Sequence, residues 1–192
     1  MFSGFLRTMT SIWVGERVRL RAIEPDEGEA FLAFDEDTDA ARNGWRIHPP
    51  RSAERARQWA AELAAKEPDP DDFRLVIADR DGNTPVGVIL THTVDRHNGT
   101  FSYGISIGTP HHRKGYAGDA IVLLLRYMFQ ERAFQKADAK VYASNEASLA
   151  LHRRLGFVEE GRRRRARFAA GRYEDEILFG MTTEEFTERY GR

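Results

Sequence analysis

Cysteine is absent from the 192 residues. That removes disulfide scaffolds, thiol nucleophiles and cysteine-ligated zinc from consideration, and it fits a reducing compartment. An excess of charge is missing too: 29 Lys and Arg stand against 30 Asp and Glu, so no net field argues for a nucleic-acid partner. No apolar run approaches the ~20 residues that span a bilayer. The stretch from Met1 to Ser11 is too short and interrupted for a signal peptide. No repeat or low-complexity tract occurs. These absences leave a cytoplasmic protein of one domain, long enough to bury roughly 70% of its unfolded surface. The domain is expected over residues 12–192, with 1–11 a ragged extension and Met9 an alternative start.

What is present is an alternation of strand and helix patterns. Strands are predicted over 14–21, 73–78, 86–93, 101–107, 137–143 and 177–181, with a return strand after Phe157. Asp79 to Asn83 reads as a hairpin turn, and His97-Asn98-Gly99 as a second turn. Helices are predicted over 25–34, opened by Pro25, and over 53–66, capped by Ser52 with Trp59 and Leu63 paired at i,i+4. Asn43-Gly44-Trp45 and Pro49-Pro50 mark a loop between them. A helix after Gly115 carries the apolar stripe Ile121, Leu124, Leu125 and Met128. Another, over 145–155, stops at Gly156 with Phe157 as the hydrophobic contact, and a short one runs over 183–190. The class is α/β with a mixed central sheet.

One junction organises the rest. Phe101, Tyr103, Ile105 and Ile107 alternate with Ser102, Gly104, Ser106 and Gly108, so one strand face is large and the other nearly bare. That bare face either leaves room for a slender ligand or lets a helix pack closely. Pro110 then turns the chain into His112-Arg113-Lys114-Gly115-Tyr116-Ala117-Gly118 and a helix start. Free N–H groups and the helix dipole favour an anion there. Gly115 and Gly118 allow close approach to the backbone, and Arg113 and Lys114 add positive charge. The physics asks for a phosphate.

His112 to Ala117, followed by Asn145-Glu146-Ala147-Ser148-Leu149-Ala150-Leu151-His152-Arg153-Arg154-Leu155-Gly156-Phe157, resembles the GNAT N-acetyltransferase superfamily. Within it the chain is similar to the branch of ribosomal-protein N-terminal acetyltransferases and spermidine N-acetyltransferases, which Gly171-Arg172-Tyr173-Glu174-Asp175 also suggests. The resemblance implies a single-domain, mostly antiparallel sheet flanked by helices, with strands splayed at an acetyl-CoA site. It implies direct attack of a neutral amine on the thioester, with no metal. The cofactor residues would be Ile105 and Ile107 on the strand, His112, Arg113, Lys114, Gly115, Tyr116, Ala117 and Gly118 in the loop, and Asn145, which doubles as a helix N-cap. Asn145, Ser148 and His152 share a helix face. His152 stands where many relatives place a proton-donating tyrosine, so His152 as an imidazolium acid and Ser148 as donor or relay are the catalytic expectations. His152 could equally just complement the helix C-terminus. The partner is an amine-bearing acceptor, and a homodimer is compatible with the resemblance. A regulatory module that holds acyl-CoA without catalysis is the alternative.

Two positions depart from the family pattern. His112 replaces the usual Arg or Gln, with Arg113 beside it. Ser102 stands where polyamine-acetylating relatives carry a glutamate, which leaves no obvious base; His92 and Tyr103 are the nearby groups a water chain could pass. The acidic residues between Glu24 and Asp39 (Glu24, Asp26, Glu27, Glu29, Asp35, Glu36, Asp37 and Asp39) read as a solvated helix and loop or as a wall attracting a cationic amine. Arg162 to Arg165 alternate across a strand, so they read as a charge-protected edge and not as a nucleic-acid patch.

Overall fold

Among the described residues, seven strands, numbered along the chain, form one sheet in the order β1-β2-β3-β4-β5-β7-β6. In this computed structural model, which describes residues 11–44 and 47–191, β1 is Val18–Arg21, β2 Arg74–Asp79, β3 Pro85–Asp95 and β4 Thr100–Ile107. β5 is Lys136–Tyr142, β6 Val158–Ala169 and β7 Arg172–Thr182. Neighbours run antiparallel except β4 and β5. The extension with Met1 and Met9, and Trp45 of the predicted loop, lie outside the described residues, as does the Asp35 side chain.

Alternation along β2 divides the interior into two layers. Ile77 belongs to the larger core, where Ile121, Leu124 and Met128 meet Phe101, Phe179 and Phe186. This core unites α4 (Tyr116–Arg126), α5 (Glu146–Leu155) and α6 (Thr183–Tyr190) with one face of the sheet. Val76 and Ala78 point the other way, into a smaller cluster with Ile23, Phe31 and Ala60 from α1 (Gly28–Asp35) and α3 (Ala53–Ala64). Burying one such large apolar side chain stabilises by about 1.5–3 kcal/mol, so the stripe on α4 fixes that helix against β4.

The caps hold as expected at two helices. Ser52 accepts the Arg55 N–H at 3.1 Å, and Gly156 closes α5 at φ 97°. Elsewhere the elements differ from the sequence reading. The first strand shortens to Val18–Arg21 because Gly15 to Val18 turn onto α4, where the Asp119 carboxylate accepts N–H groups from Glu16 at 3.3 Å, Arg17 at 2.7 Å and Val18 at 3.0 Å. The helix opened by Pro25 begins as one 3-10 turn before α1. A further helix, α2 (Thr38–Gly44), occupies what reads as loop. α4 gives way to a π-helical turn over Tyr127–Glu131. The last strand starts at Arg172 because β6 and β7 form one long hairpin, and its outer strand β6 carries the arginine run on the sheet edge.

Candidate active site

The site begins where β4 and β5 stop pairing. Parallel strands pair only at Thr100 with Lys136, Phe101 with Ala137 and Ser102 with Asp138. Beyond Ser102 they splay into a wedge that widens toward their C-terminal ends. The Gly108 N–H donates to the Val86 carbonyl at 2.9 Å on the β3 side. Strand alternation therefore turns the N–H and C=O groups of Tyr103, Ile105 and Ile107 toward the wedge. Buried backbone edges are rarely left unpaired, so this edge is built for an extended partner carrying amides.

The wedge runs into the glycine loop. A 3-10 turn at Thr109–His111 is followed by Arg113 at φ 60° and Gly115 at φ 83°, after which α4 starts. The left-handed φ explains Gly115. A Cβ at Gly118 would meet Leu151 at 3.7 Å and Leu155 at 3.8 Å, while its N–H stays among the open donors of the loop. Its bareness faces α5 and helix packing, not the mouth of the loop. Among the described residues, no acceptor meets the backbone N–H groups of 113–118. His112 spends its Nε2–H on the Ile107 carbonyl at 2.8 Å, which folds the loop against the strand. Arg113 and Lys114 are exposed.

Sequence reasoning missed Arg17. Its guanidinium donates to the Lys114 carbonyl at 3.4 Å. Its Cδ and Nε would lie 3.0 Å from a Cβ at Gly115. It has no carboxylate partner among the described residues and sits beside the open amides. The turn pinned by Asp119 delivers it there, and no local pattern in the sequence announces a contact between residues 97 positions apart.

The second block of the sequence folds into a different kind of place. Asn145 caps α5, its Oδ1 accepting the Ser148 N–H at 3.1 Å, while its Nδ2 donates to the Asn43 carbonyl at 3.5 Å. His152 is 3% exposed. A carbonyl only accepts, so the 2.8 Å contact with the Ser148 carbonyl assigns the proton to Nδ1, leaving Nε2 to accept from the Tyr103 hydroxyl at 2.9 Å. The ring stacks on Tyr103 and Phe179 and meets Phe157 edge-on. Burial lowers the His152 pKa, so the neutral imidazole prevails near pH 7, the opposite of what an imidazolium donor needs. Burial also drives the Tyr103 phenol well above its usual value. The Ser148 hydroxyl lies 3.3 Å from Nδ1. The structure thus brings Ser148 and His152 together beside β4.

α2 roofs the wide end of the wedge. At its start, Asp37 accepts the Thr109 hydroxyl at 2.5 Å and the N–H groups of Asp39 at 3.0 Å and Ala40 at 2.9 Å. At its end, Arg167 of β6 donates to the Arg42 carbonyl, and Asn145 to that of Asn43. Thr109 follows β4 and Asn145 follows β5, so a helix about 10 Å long bridges the gap. Arg167 also lies 3.9 Å from the centre of the Tyr142 ring. Beside α2 is a cavity of about 470 Å³ bordered by Leu32, Glu36, Ala41, Ile47 and His48. Much of the acidic segment is spent locally: Glu27 pairs with Arg21, Glu29 with Arg57 and Asp39 with Arg42. That leaves little of the expected cation-attracting wall.

Comparison with known proteins agrees with this geometry. The family model described as an acetyltransferase (GNAT) domain matches residues 17–158. The chain is 41% identical to the SPbeta prophage-derived uncharacterized N-acetyltransferase YokL of Bacillus subtilis (strain 168), over 93% of this chain and 97% of that one. It is 29% identical to the ribosomal protein uS5-alanine N-acetyltransferase of Escherichia coli (strain K12), over 60% of each. The spermidine N-acetyltransferase of Vibrio cholerae, solved with CoA and spermine, superposes with a TM-score of 0.75 at 20% identity, covering 88% of this chain and 97% of that one.

Proposed function

Because the chain belongs to the GNAT acetyltransferase family and is an N-acetyltransferase, we propose that it moves an acetyl group from acetyl-CoA to a primary amine at the β4–β5 wedge. One observation carries the reading: beyond Ser102 the β4 edge has no partner strand among the described residues, and it leads directly into open backbone amides over residues 113–118. An amide-bearing arm completes the edge as an added strand. The loop amides and first turn of α4 hold a diphosphate, with Arg17, Arg113 and Lys114 supplying charge. Acetyl-CoA fits this donor set, and its thioester supplies the activated acetyl group.

His152 acts in its neutral form. Held by Tyr103 and by the Ser148 carbonyl, it orients Ser148, whose hydroxyl donates to the leaving sulfur. His152 is then a positioning residue. The acceptor enters over the open face of β4, beneath α2. Ser102 offers no negative charge there, and nearby carboxylates are engaged, with Asp138 and Glu160 on Lys136. We infer that an amine with few neighbouring positive charges, such as a protein N-terminus, is preferred over a polyamine.

The test is thiol release from acetyl-CoA in the presence of peptides with free N-termini, spermidine and small amines, alongside calorimetric titration with CoA. Turnover with any amine supports the reading, and peptide over polyamine supports the acceptor class. CoA binding without turnover would instead favour a regulatory module, and no CoA binding by the folded chain would end both.

A further inference from the structure

Proton removal from the acceptor amine is the step the residues named so far leave unserved. His152 is engaged at both nitrogens and buried in the larger core. Asp138 and Glu160 are ion-paired to Lys136, and Glu176 to Arg163 at 3.4 Å. His92 remains. It sits on β3 directly opposite Ser102, the last residue of β4 still paired to β5. Directly opposed residues share a sheet face, so the half-buried imidazole projects on the same side as Ser102, where the wedge starts. The strand is distorted there: the register slips between His92 and Asp95, and Thr93 is held at φ 51°. Left-handed backbone at a β-branched residue is costly and clusters at working sites. The bulge turns the Thr93 hydroxyl onto Nδ1 of His92 at 3.0 Å.

We propose that His92 is the proton acceptor for the incoming amine, a proposal that rests on the acetyltransferase reading above. The tautomer that acts is the one that donates Nδ1–H to the Thr93 hydroxyl, which leaves the lone pair on Nε2. As the amine nitrogen bonds to the acetyl carbon and the carbon–sulfur bond breaks, one N–H proton passes to Nε2. The sulfur leaves with the bonding pair, and His92 returns its proton to solvent after release. The surroundings suit a base. Burial lowers the His92 pKa most and Lys140 of β5 lowers it further, while the Tyr103 backbone and Asp72 oppose them. Arg74 of β2 lies next along the same face, paired with Leu90, and Lys136 and Asp138 of β5 are held to one another at 3.3 Å. The imidazole is therefore unprotonated at pH 7. A base of this strength matches an α-amine, whose pKa is about 7.7–8.0, better than an alkylamine near 10.4.

The experiment measures kcat against pH with acetyl-CoA and the best peptide acceptor, for wild type, His92→Gln, Lys140→Gln and the double variant. CoA affinity and thermal melting are recorded on each. His92→Gln is expected to lower kcat by roughly 10²-fold or more, with CoA affinity kept. Lys140→Gln is expected to shift the acid limb of the wild-type profile to higher pH, and to shift nothing in the His92→Gln background. If His92→Gln fails to fold, the Lys140→Gln limb decides alone, for or against. A folded His92→Gln protein with wild-type kcat, or an unmoved limb in Lys140→Gln, overturns the proposal while leaving the transferase reading intact. A wild type that binds CoA but acetylates no amine removes both.

Discussion

The glycine loop and the His152 cluster both descend from conspicuous sequence blocks, yet their hydrogen bonding is opposite. The backbone N–H groups of 113–118 meet no acceptor among the described residues. Around His152, both ring nitrogens, the Tyr103 hydroxyl and the Ser148 carbonyl are all engaged, in a setting 3% exposed. Leaving donors unmet is tolerable only where water or a ligand meets them, whereas a satisfied buried network rigidifies what it joins. The contrast separates binding surface from framework: unmet donors mark where a ligand goes, and met ones mark what holds the wedge in shape.

Breaking the framework should have the largest effect. His152→Ala removes a packed ring and strands the Tyr103 hydroxyl, so a loss of roughly 3 kcal/mol is expected. For a chain of this size that lowers the melting temperature by about 6–12 °C. CoA affinity measured below the transition should hardly change. A stable His152→Ala protein that has lost CoA binding would reverse the two roles. On the other side, Arg17→Ala should weaken acetyl-CoA about tenfold, near 1.4 kcal/mol, with melting almost unchanged. Calorimetry at two salt concentrations checks this, since a phosphate contact weakens as salt rises.

Acidity sharpens the same contrast. Burial depresses the pKa of His152, and burial together with nearby cations depresses those of His92 and His111. Each is neutral when folded but takes up a proton when unfolded below about pH 6.5. Unfolding then binds protons, so stability is full above about 6.5 and falls as pH drops toward the folded pKa values, levelling below them. The slope is at most ~1.4 kcal/mol per pH unit per histidine. His152→Tyr should flatten the acid side of the melting-temperature profile, and an unchanged slope would mean the ring is not held neutral. The smallest effect is expected from reversing Glu36 and Asp39 to lysine. With Asp39 committed to Arg42, the acceptor KM should move less than twofold, and a large salt-sensitive rise would restore the cation-attracting wall.

Much of this arrangement was legible in the residues. The order of strands and helices, the caps at Ser52 and Gly156, and the N-cap role of Asn145 follow from local patterns that need no tertiary information. α2 was not legible: its seven residues end in Asn43-Gly44, a turn signal, and lack an apolar period, and the helix is held by Thr109, Asn145 and Arg167 from distant elements. That the bare side of Gly118 faces α5 was not legible, because glycine spacing says nothing about where the missing Cβ would point. Arg17 was invisible because the Asp119 carboxylate, from a helix far along the chain, sets its position. The protonation of His152 was open because burial, the property that decides it, arises only on folding.

Amide hydrogen exchange with and without acetyl-CoA tests the central contrast most directly. Residues 113–118 should exchange rapidly in the free protein and slow by at least tenfold when acetyl-CoA is added, together with Ile105 and Ile107 on the open edge of β4. Residues 148–157 should be protected already and change little. Protection appearing around His152 while 113–118 stay fast would contradict the account.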